Sequence, residues 1–440
     1  MRTIGRAVLL DHANRRVARS LAGGEELSGL GKLAFASLWL LVFAMSWEDA
    51  ITIANFGTSA RLIGMLGGVL GLLAIIESGR VRRPAPGHIL MALFVLLAGG
   101  SYLWSLYPEG TVTQTVTYIQ LFMMVWLIWQ LASRDREQTR LMQAYVLGTF
   151  VSGIDTVYLF IIHQESVYQR YAGARLDAND LGLLMALSIP FSYYLLIQSK
   201  GMIAWVYRLQ LALAGTTVLL TASRGAALAS VFALAIVPLT HARLTARQRI
   251  AILLTVSLLV CGALVFVPST SWERLSTIPL EFSQGTFTGR TVIWTAAWEL
   301  FRTHPFLGVG ANAFRLTVSR ILAEPIRADE SGTPQAPAAH NTFLSVLVEQ
   351  GVIGFALFCA LLGFLALSLR RLPPFPQKLW IVFLGVWVVG VSSLTWEMRK
   401  PTWFFFGLLM AQCGSMARTQ QTQSRAPAVS EVQLSLLRTS

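Results

Sequence analysis

The 440-residue chain is 54% hydrophobic and only 13% charged, with a mean hydropathy of +0.58. Soluble chains carry about 25% charged residues, so a water-soluble multidomain protein is excluded. The 35 Lys and Arg against 22 Asp and Glu leave a net charge of +13. Most of that excess clusters at the ends of apolar runs, which is the pattern of a polytopic membrane protein and excludes nucleic acid as the partner.

In chain order, residues 1–32 form a basic N-terminal segment with no small-residue cleavage site after it, so it is expected to be retained on the cytoplasmic side. Apolar segments follow at about 33–54, 62–77, 88–105, 116–133, 141–163, 180–198, 204–222, 225–241 and 249–267, then at 341–369, 379–395 and 402–417. Backbone in hydrocarbon must satisfy its own hydrogen bonds, so each is expected to be a helix. Ten-residue alternating strands, the mark of a membrane barrel, do not occur. The expected fold is an all-α integral membrane protein with about twelve transmembrane helices. Helices 1–9 fill 33–267, one large, mainly helical periplasmic loop spans 268–340, helices 10–12 fill 341–417, and 418–440 is a cytoplasmic tail. The clusters Arg80/Arg82/Arg83, Arg134/Arg136/Arg140 and Arg243/Arg247/Arg249 fall on one side, which the positive-inside rule makes cytoplasmic along with both termini. Cys261, Cys359 and Cys413 lie inside apolar runs without metal-ligand spacing and read as small core residues.

Within the long connection, Thr288 to Thr303 has Ile293, Trp294, Ala297, Trp298 and Phe301 at helical spacing, with Thr288 as the expected N-cap and Pro305 as the stop. A second helix is expected at about Ala311 to Ala323, after the turn Gly308-Val309-Gly310. Residues 324–339, rich in Pro, Gly, Ser and Ala, read as a mobile loop.

The candidate chemistry gathers on the external side. Arg224 interrupts the apolar runs on either side of Ser223-Arg224-Gly225, and a cation beside hydrocarbon defaults to a functional residue. Gly225 would allow a tight turn or the close approach of a ligand. Arg290 opens the first loop helix, where a guanidinium and free backbone N–H groups together suit a phosphate. His340 stands where the loop becomes the tenth span. His340, Leu344, Leu347 and Gly351 share one helical face, so Gly351 is expected to admit a neighbouring helix below the imidazole, with Glu349 on the opposite side. Arg170 and Arg175, and Glu397, Arg399 and Lys400 in the last external turn, are candidates for the walls of the same anionic pocket. The external carboxylates show neither HExxH nor a DxD pair, so a mechanism without metal or other cofactor is expected.

The order Ser223-Arg224-Gly225, Gly289-Arg290 with Trp294, Pro305 to Phe314, then His340-Asn341 with Gly351 and Gly354 resembles the bacterial O-antigen ligase/polymerase superfamily over about residues 170–405. The resemblance implies an inner-membrane glycosyltransferase working at the periplasmic face. Such enzymes take a glycan from undecaprenyl diphosphate, and the ligases deliver it to a sugar hydroxyl of lipid A–core. It also implies that Arg224 and Arg290 hold the diphosphate and that His340 is the catalytic base, in an inverting, metal-independent transfer. Membrane lipids are the remaining expected partners. An O-antigen polymerase or a protein O-oligosaccharyltransferase has the same donor chemistry. Polymerases of this type often carry two sizeable external loops, so the single long loop favours a ligase. A lipid or solute transporter, from a different class, should show internal repeats and ionisable residues on both sides of the midplane.

Overall fold

The computed structural model describes residues 27–53, 57–163, 170–240, 245–250, 252–254, 257, 267–278, 290–322, 327–328, 334–335 and 338–418. Helices dominate. They are α1 (Gly29–Ala44), α2 (Ser59–Ser78), α3 (Pro86–Gly100), α4 (Pro108–Leu131), α5 (Asp135–Ile161), α6 (Ala178–Gln198), α7 (Gly201–Leu220), α8 (Arg224–Ala233) and α9 (Ile236–Thr240). The long connection contributes α10 (Ser269–Ser276), α11 (Arg290–Thr303) and α12 (Phe314–Leu322), and α13 (Thr342–Ser368), α14 (Pro374–Val391) and α15 (400–418) complete the bundle. Strands among the described residues are confined to two small antiparallel pairs, Thr52–Ile53 with Gly57–Thr58 and Arg327–Ala328 with Pro334–Gln335.

Among the described residues, eight helices are long and apolar enough to cross a membrane. The chain is therefore an all-α polytopic membrane protein. The first expected span is the shorter helix α1, and the eighth is α8 with α9, over Arg224–Thr240. The ninth, at 249–267, lies largely outside the described residues, as does the expected cap Thr288.

Local sequence sets the ends. Pro86, Pro108 and Pro374 open α3, α4 and α14, where a missing N–H costs nothing. The side chains of Asp177, Ser223 and Asn341 accept N–H bonds at the starts of α6, α8 and α13. Gly79, at φ +61°, closes α2.

The core centres on α6 and α15. Phe191 of α6 stacks on Phe383 of α14, with ring centroids 4.6 Å apart, and Phe405 meets Phe383 edge-on at 4.4 Å. Tyr145 of α5 packs against Phe405 and donates its hydroxyl to the Leu184 carbonyl at 2.8 Å, so the polar tip is satisfied inside the bundle. Outward faces carry Ile76, Leu96 and Met202, as lipid contact requires. Cys413 is buried, but Cys359 is exposed on α13, so its place is this outer face rather than the core.

Three expectations about the long connection change. The second loop helix is shorter, Phe314–Leu322, because Gly308, Gly310 and Asn312 all take positive φ and hold 308–313 in turns. Residues 324–339 include a strand pair rather than loop alone. The tenth span is not one continuous helix: Gly351 sits at φ 62°, ψ −169°, and breaks α13 in two.

Candidate functional site

Three turns at the end of the bundle that carries the long connection bring the arginines together. Arg170 is buried. Its Nε donates to the Thr221 carbonyl at 2.7 Å and a terminal nitrogen donates to Asn179 Oδ1 at 2.9 Å. The Ser223 hydroxyl donates to the same amide oxygen at 3.0 Å, so Arg170 and Asn179 stitch the start of α6 to the turn between α7 and α8. Arg224, the first residue of α8, then donates to Thr277 Oγ1 at 2.8 Å, and that hydroxyl donates to the Arg274 carbonyl at 2.7 Å. This links the turn to the end of α10.

Arg290 is the first residue of α11. One turn further on, Trp294 donates its indole N–H to the carbonyl of Ala339 at 2.8 Å, which ties the Arg290 face of α11 to the residue before His340. His340 itself is half-buried with φ +47°, a left-handed conformation uncommon outside glycine. Among the described residues, the six non-glycine positive-φ positions are His163, Ala174, Arg175, Ala222, Asn312 and His340. All lie in turns at this end. Such strain gathers where surrounding structure fixes the backbone for a purpose.

The electrostatics link some of these groups. Burial lowers the Arg170 guanidinium to about 10, and Arg274, Arg224 and Arg290 push the same way, against Asp177. Burial lowers the His340 imidazole to about 4; Arg290 and Arg315 add to the shift and Asp177 opposes it. Arg224 and Arg290 thus act on Arg170, and Arg290 also acts on His340, which makes Arg290 the residue common to both groups. Arg274 and Arg315 belong to these groups too and were missed. Arg315 follows directly on the Pro305–Phe314 stretch, which was the available signal; Arg274 had none.

Below His340 the broken helix organises the loop. The Val348 and Glu349 carbonyls accept from the Val309 and Gly310 N–H groups at 3.0 and 2.9 Å. Beyond the break, Val352 and Ile353 donate to the carbonyls of Pro305 and Phe306 at 2.9 and 3.3 Å. The loop thus supplies the hydrogen bonds that a continuous helix would have made for itself. Glycine is required on both sides. A Cβ on Gly351 would stand 2.2 Å from the Phe306 oxygen, and one on Gly308 would stand 2.4 Å from the Glu349 carbonyl. The expectation that Gly351 admits a neighbouring helix is corrected: loop backbone enters there.

Glu349, 4% exposed, accepts the Asn312 N–H at 2.9 Å through Oε2. The loop is also held from the far side, since Leu106 donates to Val309 O at 3.0 Å and Ala311 donates to Ser101 Oγ at 3.1 Å.

The other candidates have partners of their own. Glu397 is 2% exposed and accepts from the Ser345 hydroxyl at 2.7 Å, and burial raises its carboxyl. Arg399 pairs with Asp180, whose other oxygen accepts the Trp396 indole N–H at 2.8 Å. Lys400 pairs with Glu48. These two cations join the last turn to α6 and to the connection after α1. Arg175 is exposed. Gly225 makes no turn: it lies within α8, where a Cβ would meet Ser393 Oγ at 2.3 Å, so it permits close packing of the turn after α14. On the membrane side of Arg224, an apolar cavity of about 340 Å³ is lined by Val218, Leu219, Ala227, Val231, Leu211 and Tyr193.

Residues 209–359 match the family described as O-antigen ligase. The matched segment holds Arg224, Arg290, His340, Glu349 and Gly351; Arg170 and Glu397 lie outside it. The chain is also similar to the exopolysaccharide production protein ExoQ of Rhizobium meliloti (strain 1021). The two are 24% identical over 359 residues, covering 77% of this chain and 76% of that protein. The two comparisons support a membrane enzyme of the glycosyltransferase-like ligase/polymerase superfamily.

Proposed function

We propose that the protein is an O-antigen ligase that transfers a glycan from undecaprenyl diphosphate to a sugar hydroxyl of lipid A–core at the periplasmic face of the inner membrane. The observation that carries this reading is that Arg224 and Arg290 both act on the buried Arg170, while Arg290, with Arg315, also acts on the half-buried imidazole of His340 and favours its neutral form. The acceptor oxygen attacks the anomeric carbon as the bond from that carbon to the diphosphate oxygen breaks, which inverts the configuration. His340 takes the acceptor proton. The leaving diphosphate gains charge, which preorganised guanidiniums at Arg224 and Arg290 neutralise without a metal ion. Arg170 holds Asn179 and the Thr221–Arg224 turn in place. The apolar cavity below Arg224 suits the lipid chain of the donor.

The test is reconstitution of the purified protein with undecaprenyl-diphosphate glycan and lipid A–core, scoring lipopolysaccharide of higher mass. Transfer should proceed in EDTA; loss that one divalent metal restores would overturn the metal-free step. The similarity to an exopolysaccharide production protein favours polymerisation as the second reading. Extension of glycan by glycan, with lipid A–core left unmodified, would put it first. A transporter would move the lipid-linked glycan and leave its bonds intact.

A further inference from the structure

At the end of the bundle opposite His340, α1 and the first turns of α5 enclose a second cavity, of about 570 Å³. Lys32, Arg134, Arg136 and Arg140 line it with a single carboxylate, Glu137. None of these five forms an ion pair among the described residues, and the Nε of Arg134 is buried without a hydrogen-bond partner. Four cations around one cavity repel one another, and Glu137 offsets only one of them.

The opposite wall is apolar. Phe35 and Trp39 stand one helical turn apart on α1. The same helix exposes Leu33 and Leu40 outward, so the cavity opens beside lipid-facing surface. A wall of cations next to a wall of aromatics selects an amphiphile with an anionic head. Guanidiniums fork onto phosphate oxygens, and basic pockets between membrane helices take phospholipid headgroups. The chain's own N-terminal segment is a poor occupant, because Arg2, Arg6, Arg15, Arg16 and Arg19 outnumber Asp11, Glu25 and Glu26 and would be repelled.

We propose that this cavity binds an anionic glycerophospholipid, its phosphodiester held by Arg134, Arg136, Arg140 and Lys32 and an acyl chain laid along Phe35 and Trp39. The inference is independent of the transfer reaction, since no residue of the His340 site takes part.

Native mass spectrometry of the full-length protein in mild detergent tests it, with phosphatidylglycerol and phosphatidylcholine of matched chains as probes. Phosphatidylglycerol should be retained preferentially. Arg136→Glu/Arg140→Glu should weaken that retention by about tenfold or more, while Arg247→Glu, an exposed arginine elsewhere at this end, should leave it unchanged. If the double reversal does not fold, Arg136→Gln/Arg140→Gln removes the charge without reversing it and should show the same loss. Equal retention of the two lipids, or retention unaffected by either double variant, overturns the proposal. Full displacement of phosphatidylglycerol by millimolar inorganic phosphate would also overturn it, leaving a free-anion site.

Discussion

His340 is held neutral by burial and by two neighbouring arginines, and its value of about 4 reshapes the pH expectation. An ordinary imidazole base would lose activity as pH falls through about 6.5. Here turnover should stay flat from neutrality to about pH 5 and fall only as the imidazole is protonated near pH 4. Arg315→Gln removes one of the lowering charges, so the folded value rises and the acid limb moves to higher pH. Initial rates of the two proteins from pH 4 to 8 check this, and an unmoved limb would detach Arg315 from the site. His340→Gln should cost about 10²- to 10⁴-fold in turnover with donor binding retained; normal turnover in the folded variant would end the general-base role. Arg224→Lys and Arg290→Lys should each transfer poorly, because a point charge does not replace the two-pronged fork on a diphosphate. Donor binding and turnover measured side by side separate that loss from misfolding.

Among the elements, α13 and the loop 305–314 behave as one unit. Gly351→Ala would place a side chain at φ 62° and against the Phe306 carbonyl. Strain of this kind costs about 1–3 kcal/mol before the clash is added. The variant should lower thermal stability and expose the connection to limited proteolysis, while a protein as stable and resistant as wild type would contradict the interlock. Glu349 separates packing from hydrogen bonding at the same place. Glu349→Leu leaves the Asn312 N–H without its acceptor, at a cost of about 1–3 kcal/mol, whereas Glu349→Gln keeps an acceptor and should stay close to wild type. The thermal midpoints of the two variants should therefore differ. Because α12 and Arg315 follow directly on this loop, a slackened loop should also move the acid limb of turnover towards ordinary imidazole behaviour.

At the scale of the whole molecule, the bundle has two chemically different ends. One carries the arginine group and His340, and the other carries the basic clusters around Arg82 and Arg136. From the charge bias we expect the second end to face the cytoplasm. Single cysteines at Thr295 and Arg370, in a protein with its own cysteines removed, should react oppositely with a membrane-impermeant thiol reagent on intact cells. Thr295→Cys should label at once and Arg370→Cys only after permeabilisation; the reverse pattern would invert the topology. The sequence alone determined the helical, membrane-spanning class and the choice of Arg224, Arg290 and His340 as candidates. Hydrophobic length, charge bias and an arginine beside hydrocarbon are one-dimensional signals, legible without any knowledge of neighbours. Only the tertiary structure decided that Arg224, Arg274 and Arg290 act on Arg170 while Arg290 and Arg315 act on His340, that Arg399 and Lys400 serve Asp180 and Glu48 instead, and that Gly351 breaks its helix to receive a loop. Ion pairs and backbone bonds exchanged between a helix and a distant loop depend on which segments the bundle brings into contact. Periodicity along the chain records which face of a helix is apolar; it does not record what is packed against that face.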